Sequence, residues 1–165
     1  MNKTVLALFG LILISSSANA ACNVSTSRLW AGFRIEAAAS GPKCAQAVAT
    51  ISLRKANGEA IWTHSYISQQ LLNFSQISSA DSKAMAKAQS DWISGEGFMK
   101  SVDALKLDGE FPFTPADGMD AATVVQYRKD KLPLFCYVQG KESGNCLAKG
   151  KDGSLIELGF QRFPG

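Results

Sequence analysis

Apolar and polar residues alternate through the first third of the chain, which is the pattern of β-strands that bury one face. In the stretch LWAGFRIEA, Phe33 and Ile35 fall on one side and the charged residues beside them on the other. Asn57-Gly58 separates two further alternating runs, and this dipeptide is typical of a tight hairpin turn because both residues tolerate positive φ. The pattern predicts an N-terminal meander of three antiparallel strands over about residues 29–67.

The Asn-Gly turn also predicts which residues lie opposite each other in the two strands that it joins. A two-residue loop places three pairs on one face of the hairpin: Leu53 with Trp62, Ile51 with His64, and Ala49 with Tyr66. His64 is the only histidine of the chain, so any mechanism based on histidine must use it. A neutral imidazole between aromatic neighbours on an apolar face is the ordinary outcome, so Trp62, His64 and Tyr66 are candidate pocket residues.

The hydrophobic period changes in the middle of the chain. Apolar residues there recur with helical spacing and fall on one stripe: Met85, Ala88 and Trp92. Ser78 or Ser79 can accept hydrogen bonds from the first N–H groups of a helix, and Asp81 suits the positive end of its dipole. The sequence therefore predicts one substantial helix over about residues 80–94.

After this helix the spacing is irregular. A short strand is predicted over residues 101–107, followed by DGEFPFTPADGMD at 108–120, whose two prolines and two glycines indicate an ordered loop. Phe111 and Phe113 are the aromatic residues of this loop, and we expect them to attach it to the core.

The next segment, TVVQYRK, fits either a strand or a helix begun by Asp120. β-Branched and aromatic side chains lose rotamer freedom in a helix and favour strands. We therefore interpret residues 122–129 as a strand.

The first twenty residues contain one lysine, an apolar run, a serine cluster and the small residues Ala18 and Ala20 at their end. This layout is typical of a secretory signal peptide, and the apolar run is shorter than the roughly 20 residues that a membrane-spanning helix needs. The sequence predicts a signal peptide over residues 1–20, cut after Ala20. It also predicts export to the periplasm or the cell exterior and a single globular domain over residues 21–165.

All four cysteines lie in the predicted exported domain: Cys22, Cys44, Cys136 and Cys146. An even number of cysteines in an oxidising compartment indicates disulfides, and local spacing favours the pairs 22–44 and 136–146. A catalytic dithiol is normally a Cys-x-x-Cys motif, and a zinc site would need further ligands in a chain with one histidine. We therefore expect two structural disulfides, no metal and no cofactor.

The C-terminal stretch LFCYVQGKESGNCLAKGKDGSLIELGF, residues 134–160, has the pattern of a second meander. A turn at Asp152-Gly153 sets its register and places Leu147 opposite Leu158. One face of this meander is then apolar: Phe135, Tyr137, Leu147, Ile156, Leu158 and Phe160. The two cysteines lie opposite each other on the other face.

The charge pattern narrows the classes of partner. The chain has 17 basic and 14 acidic residues, without a run of lysine or arginine that would indicate nucleic-acid binding. No other segment is long and apolar enough to span a bilayer either. The G-x-S-x-G motif of serine hydrolases is absent too, so we assign no catalytic residue.

Together these patterns predict an α+β fold that is predominantly antiparallel β, with an N-terminal three-stranded meander, a C-terminal meander, one substantial helix and two disulfides. By elimination we expect a non-enzymatic binding protein, such as an inhibitor or accessory protein that recognises another envelope or extracellular protein. The loop 108–120 and the turn 139–145 are the candidate contact segments. Their candidate contact residues are Phe111, Phe113, Lys141 and Glu142.

Two alternatives stay open. A carrier of a small apolar ligand would hold it in a cavity between sheet and helix, lined by Trp62, His64 and Tyr66. A hydrolase acting on cell-wall material would use two carboxylates that the fold brings together, since such pairs need not be neighbours in sequence. The oligomeric state is also open.

Overall fold

The structure of this protein, a computed structural model, describes residues 21–78, 81–94 and 100–163. These residues form two four-stranded antiparallel sheets and two α-helices, which confirms the predicted α+β class with predominantly antiparallel strands. The predicted signal peptide lies outside the described residues. Among the helices that are described, none has the length and apolar character needed to cross a membrane.

The two sheets follow each other along the chain. The strands of the first are β1 (Cys22–Trp30), β2 (Phe33–Gly41), β3 (Val48–Arg54) and β4 (Ala60–Ile67), which lie side by side in this order. Those of the second are β5 (Phe113–Pro115), β6 (Leu134–Val138), β7 (Ser143–Lys149) and β8 (Leu155–Arg162), in the spatial order β5-β8-β7-β6. The helices are α1 (Ser82–Ser94) and α2 (Ala121–Lys129).

The first sheet has one strand more than the predicted meander, which corresponds to β2, β3 and β4. β1 lacks a clear alternation because its outward face includes the exposed Leu29 and its other face includes Thr26 and Arg28. Arg28 lies opposite Ile35, which is fully buried. The Arg28 guanidinium reaches the end of α1, where it donates to the carbonyl oxygens of Ile93 and Ser94.

The β3–β4 hairpin has the predicted pairing but a different turn. Lys55 accepts the N–H of Gly58 at 2.9 Å and donates to the carbonyl oxygen of Glu59 at 2.9 Å, so three residues rather than two form the loop. A bulge after Leu53 then restores the register. The three predicted pairs are present: Leu53 with Trp62, Ile51 with His64, and Ala49 with Tyr66.

The β7–β8 hairpin closes with the same kind of loop, since Gly150 donates its N–H to the carbonyl oxygen of Ser154 at 2.9 Å. Its bulge lies deeper in the sheet, and Leu147 consequently faces Glu157. The prediction that Leu147 faces Leu158 is wrong by one residue. The extra residue of the bulge moves Leu158 to the other face of the sheet.

The segment after β5 is the helix α2, so the prediction of a strand over residues 122–129 is wrong. Asp120 caps this helix, because its side chain accepts the N–H of Thr123 at 2.6 Å. Arg128 and Lys129 lie in the last turn, where positive charge interacts favourably with the helix dipole. The cap and these charges outweigh the small loss of helix propensity that each β-branched residue brings.

The predicted short strand over residues 101–107 is also wrong. Ser101 forms an isolated antiparallel bridge with Pro133, and a 3₁₀ turn follows at Val102–Ala104. The chain turns there because this brings Leu105 into the core, where it is 1% exposed.

α1 begins directly after Asp81, whose side chain accepts the N–H of Ala84 at 2.8 Å. The cap is therefore Asp81 rather than the predicted serine. The predicted apolar stripe faces the core, with Met85 and Trp92 buried. Gln89, on the same side of the helix, is buried as well and donates to a carbonyl oxygen of β1 at 3.1 Å.

Two hydrophobic clusters hold these elements together. The first includes Ile35, Trp92 and Tyr137, and it lies between the first sheet, α1 and one face of the second sheet. The second includes Val124 and Leu158, and it lies on the opposite face of the second sheet, which α2 and the segment around Val102 cover. Both faces of the second sheet are therefore buried.

Both predicted disulfides are present, Cys22–Cys44 and Cys136–Cys146. They indicate an oxidising compartment outside the cytoplasm. Cys136 and Cys146 lie in the second cluster and are 2% and 0% exposed. The sequence predicted that they face away from the apolar face of the meander, and they do, but the face that carries them is apolar and buried too.

Candidate functional site

β4 presents half of its backbone polar groups at the edge of the first sheet. In an antiparallel pair, residues whose N–H and C=O groups reach the neighbouring strand alternate with residues whose groups point away. Ser68, directly after β4, donates its N–H to the carbonyl oxygen of Ala47 at 3.0 Å. Counting back from this bond, Thr63 and Ser65 direct their N–H and C=O groups away from β3.

β4 also lacks the features that usually protect a strand edge. Edge strands are normally short, interrupted by proline, charged, or covered by another element. β4 has eight residues, with no proline and no Asp, Glu, Lys or Arg. By contrast, β5 has three residues and includes Pro115, while β1 carries Arg28 and packs against α1.

Two tryptophans close the edge of β6. Trp30 donates its indole N–H to the carbonyl oxygen of Leu134 at 3.2 Å, and Trp92 donates to that of Val138 at 2.7 Å. The N–H of Leu134 donates in turn to the carbonyl oxygen of Lys100 at 3.1 Å. Within residues 21–78, 81–94 and 100–163, β4 is thus a long edge without any of these protections.

Trp62, His64 and Tyr66 share one face of β4, as predicted, and are half-buried. The rings of Trp62 and His64 stack with centroids 4.4 Å apart, and Tyr66 meets Trp92 of α1 edge-on at 6.1 Å. The indole Nε1 of Trp62 is buried and has no hydrogen-bond partner among the described residues.

A chain of hydrogen bonds connects this aromatic row to the second sheet. The hydroxyl oxygens of Tyr66 and Tyr137 are 2.7 Å apart, and His64 Nδ1 lies 3.3 Å from the Tyr66 oxygen. Asn145 Nδ2 donates to the Tyr137 oxygen at 3.2 Å and to Glu157 Oε1 at 2.9 Å. Burial raises the pKa of both tyrosines, and the negative charge of Glu157 adds to the rise. Both hydroxyls therefore stay protonated at neutral pH and hold the aromatic row in place.

Exposed apolar side chains lie at the C-terminal end of β4. Val48 and Ile67 face each other across β3 and β4 and are 47% and 53% exposed. Leu72, in a 3₁₀ turn shortly after β4, is 46% exposed. Neighbouring exposed apolar residues of this size are typical of a contact surface.

The predicted contacts Lys141 and Glu142 are exposed in the turn between β6 and β7. The carbonyl oxygen of Gly140 in this turn accepts the N–H of Leu72 at 2.9 Å. The turn therefore lies beside the segment that follows β4, close to the exposed apolar residues.

The predicted contacts of the 108–120 loop lie at the same end of the second sheet. Phe113 faces Gln161, which faces Gly144 next to the β6–β7 turn. Phe111 is half-buried, and its carbonyl oxygen accepts from the Gln161 side chain. Phe113 is 5% exposed and belongs to the second cluster, so it is unsuited as a contact residue because its ring is committed to the core.

The sequence did not identify the partners of the aromatic row, which are Tyr137, Asn145 and Glu157. The available signal was the position of Tyr137 on the predicted apolar face of the C-terminal meander. The sequence predicts Trp62, His64 and Tyr66 as the lining of a cavity between sheet and helix, and this stays a prediction. In the structure they form a half-buried row on an edge strand, with Tyr66 against Trp92 of α1. Which faces of two sheets meet is decided by contacts that are distant in sequence.

Metal-ligating side chains and thiols form no further site in the described part of the chain. No three His, Cys, Asp or Glu side chains there are grouped so that they could hold a metal ion, and none of its cysteines is free. Several carboxylates form ion pairs: Glu36 with Arg54, Glu59 with Lys55, Asp91 with Lys87, and Asp130 with Lys151.

Comparison with protein-family models, with curated proteins and with solved structures finds no significant match for this chain. The geometry of β4 and its surroundings is therefore the basis for assigning a function.

Proposed function

We propose that this protein is exported by an N-terminal signal peptide, cut after Ala20, to the periplasm or the cell exterior. There it acts as a non-enzymatic binding protein that captures an extended segment of another envelope or extracellular protein. The observation that carries this proposal is the unprotected edge of β4. A strand edge with a row of outward N–H and C=O groups is a template for strand addition, in which a partner segment becomes a further strand of the sheet.

The backbone of β4 supplies the general affinity for such a segment. Thr63 and Ser65 offer their outward N–H and C=O groups, and the same alternation adds Ile67. Each hydrogen bond to an added strand contributes about 0.5–1.5 kcal/mol. This contribution depends little on the side chains of the partner.

The surroundings of β4 supply the specificity. Side chains of an added strand alternate between the two faces of the sheet. Those on one face meet the half-buried aromatic row of Trp62, His64 and Tyr66. Those on the other face meet the exposed pair Val48 and Ile67. We therefore expect the captured segment to be extended, with apolar residues at alternate positions.

The predicted contact residues of the β6–β7 turn fit the same surface. The bond between Gly140 and Leu72 places the turn beside the C-terminal end of β4. Lys141 and Glu142 then flank the end of the added strand, where they favour partner residues of opposite charge.

A peptide selected from a displayed library of random linear sequences provides a defined probe. Its affinity is measured for the wild type and for two variants at one exposed position, Thr63→Pro and Thr63→Ala. Proline removes the outward N–H and leaves the hydrogen bonds to β3 in place, since edge strands tolerate proline on their solvent side. We expect Thr63→Ala to bind like the wild type and Thr63→Pro to bind about tenfold more weakly.

Circular dichroism and thermal unfolding verify that both variants are folded. Wild-type affinity in Thr63→Pro would show that the peptide does not add to β4. A homodimer of the wild type that Thr63→Pro dissociates would identify a second copy of this chain as the occupant, and would overturn the proposal of a different partner protein.

A further inference from the structure

A cavity of about 510 Å³ opens where the β1–β2 hairpin, the end of α1 and the edge of β6 meet. Its volume falls within the range of small-molecule sites, roughly 300–1,000 Å³. It is lined by none of the residues of β4, so it is separate from the surface proposed for strand addition.

Apolar residues form most of the wall of this cavity: Trp30, Ile35, Pro133, Leu134 and Phe135. Trp30 is fixed on two sides, since its indole N–H donates to Leu134 and its ring lies 5.8 Å from that of Phe135. A wall that is already ordered does not have to be ordered by a ligand, which favours binding.

Two of the lining residues that the structure describes are charged, and both are cationic. They are Arg28 and Lys100, which are exposed. Arg28 uses Nη1 for the carbonyl oxygens at the end of α1, and its Nε and Nη2 make no hydrogen bond to the described residues. Because Arg28 already offsets the negative end of the α1 dipole, Lys100 gives the cavity its positive charge.

We propose that this cavity binds a small amphipathic carboxylate. Its aromatic or aliphatic body lies against Trp30 and Phe135, and its carboxylate lies between Arg28 and Lys100. The apolar wall suits the body of such a ligand, and the two cationic side chains suit its negative charge.

The test uses two compounds of the same shape, 4-phenylbutanoate and 4-phenylbutanamide, titrated into the full protein. Amide chemical shifts in NMR spectra locate the bound compound, and calorimetry gives its affinity. We expect shifts at Ala31, Leu134 and Phe135, and tighter binding of the carboxylate than of the amide. Lys100→Gln should weaken carboxylate binding about two- to fivefold and leave amide binding unchanged.

Lys106→Gln is the matched control, because Lys106 is exposed and does not line the cavity. It should leave the affinity for both compounds at the wild-type value. Equal affinity for the two compounds, the same effect of both substitutions, or shifts confined to β4 would each overturn the proposal. The absence of shifts around the cavity up to the solubility limit of the carboxylate would overturn it as well.

Discussion

Trp92 donates its indole N–H to the carbonyl oxygen of Val138 over 2.7 Å, and this bond closes part of one edge of the second sheet. Trp92 belongs to α1 and Val138 ends β6, so the helix protects the sheet that follows it in sequence. β4 has no such cover within the described residues, although Tyr66 contacts the same tryptophan. One edge is thus protected and another is left accessible, as the capture of a partner strand requires.

Replacement of Trp92 by phenylalanine should lower the free energy of unfolding by about 1–3 kcal/mol, because the buried Val138 carbonyl loses its donor. Urea denaturation measures this loss. Trp62→Phe is the matched control, since the indole Nε1 of Trp62 has no acceptor among the described residues. Trp62→Phe should lower the free energy of unfolding clearly less than Trp92→Phe does. Equal losses in the two variants would contradict the role assigned to the Trp92 bond.

Removal of either disulfide should destabilise the protein by about 2–4 kcal/mol, because each restricts the unfolded chain. The variants replace both cysteines of one pair by alanine, and guanidinium denaturation gives the free energy of unfolding. Cys22 and Cys44 are 22 residues apart and Cys136 and Cys146 are 10 apart, so removal of the first pair should cost more. The reverse order would count against chain entropy as the main contribution.

The cap of α2 predicts that the stability of the protein depends on pH in the acid range. The hydrogen bond from Thr123 lowers the pKa of Asp120 below its ordinary value of 3.8. A carboxylate whose pKa is lower in the folded state than in the unfolded state stabilises the fold. This stabilisation is present at a pH above the unfolded-state pKa and is lost as the pH falls through the folded-state pKa. Asp120→Ala should therefore have a lower Tm than the wild type at pH 7, and this difference should shrink below pH 3.8.

Asp120→Asn is the control for this effect, since asparagine also caps helices but does not titrate. Its difference from Asp120→Ala should persist in acid. A gap between wild type and Asp120→Ala that is constant from neutral to acid pH would show that the carboxylate charge contributes nothing to the cap.

The hydrogen-bonded pair of Tyr66 and Tyr137 predicts that the stability of the protein depends on pH in the alkaline range. Burial and the neighbouring Tyr66 hydroxyl raise the pKa of Tyr137 above its ordinary value of 10.0. The stabilisation by protonated Tyr137 is fully present at a pH below the unfolded-state pKa. It is lost as the pH rises towards the folded-state pKa, by up to about 1.4 kcal/mol per pH unit. Urea denaturation above pH 10 should therefore show a smaller loss with pH in Tyr137→Phe than in the wild type.

Tyr127→Phe, on α2, is the matched control for the alkaline experiment, because its ring is not part of the hydrogen-bonded chain around Tyr137. Its stability should fall with pH as that of the wild type does. The same slope in Tyr137→Phe would contradict the protonated, hydrogen-bonded state of Tyr137.

Local patterns predicted the parts of the fold that depend on neighbouring residues. The pairing of Ile51 with His64 follows from alternation and the Asn-Gly turn, and it survives a different loop because a bulge compensates. α2 was missed because two local signals conflict, the β-branched residues and the Asp120 cap, and the pattern alone does not give their relative strength.

The candidate site was predictable only in part, for a related reason. The shared face of Trp62, His64 and Tyr66 follows from strand period, which is local. That β4 is an edge strand depends on the order of strands in the sheet, and the closure of the β6 edge depends on Trp92, 46 residues from Val138. Such contacts are set by tertiary packing, which the period of a single strand does not encode.

Amide hydrogen exchange at Thr63 and Ser65 tests strand addition to β4 most directly. In the free protein these outward N–H groups should exchange rapidly, while that of His64, which faces β3, is protected. Saturation with the selected peptide should slow exchange at Thr63 and Ser65 and leave His64 protected as before. Unchanged rapid exchange at both outward positions, with the peptide bound, would contradict the proposal that a partner segment becomes the next strand of the sheet.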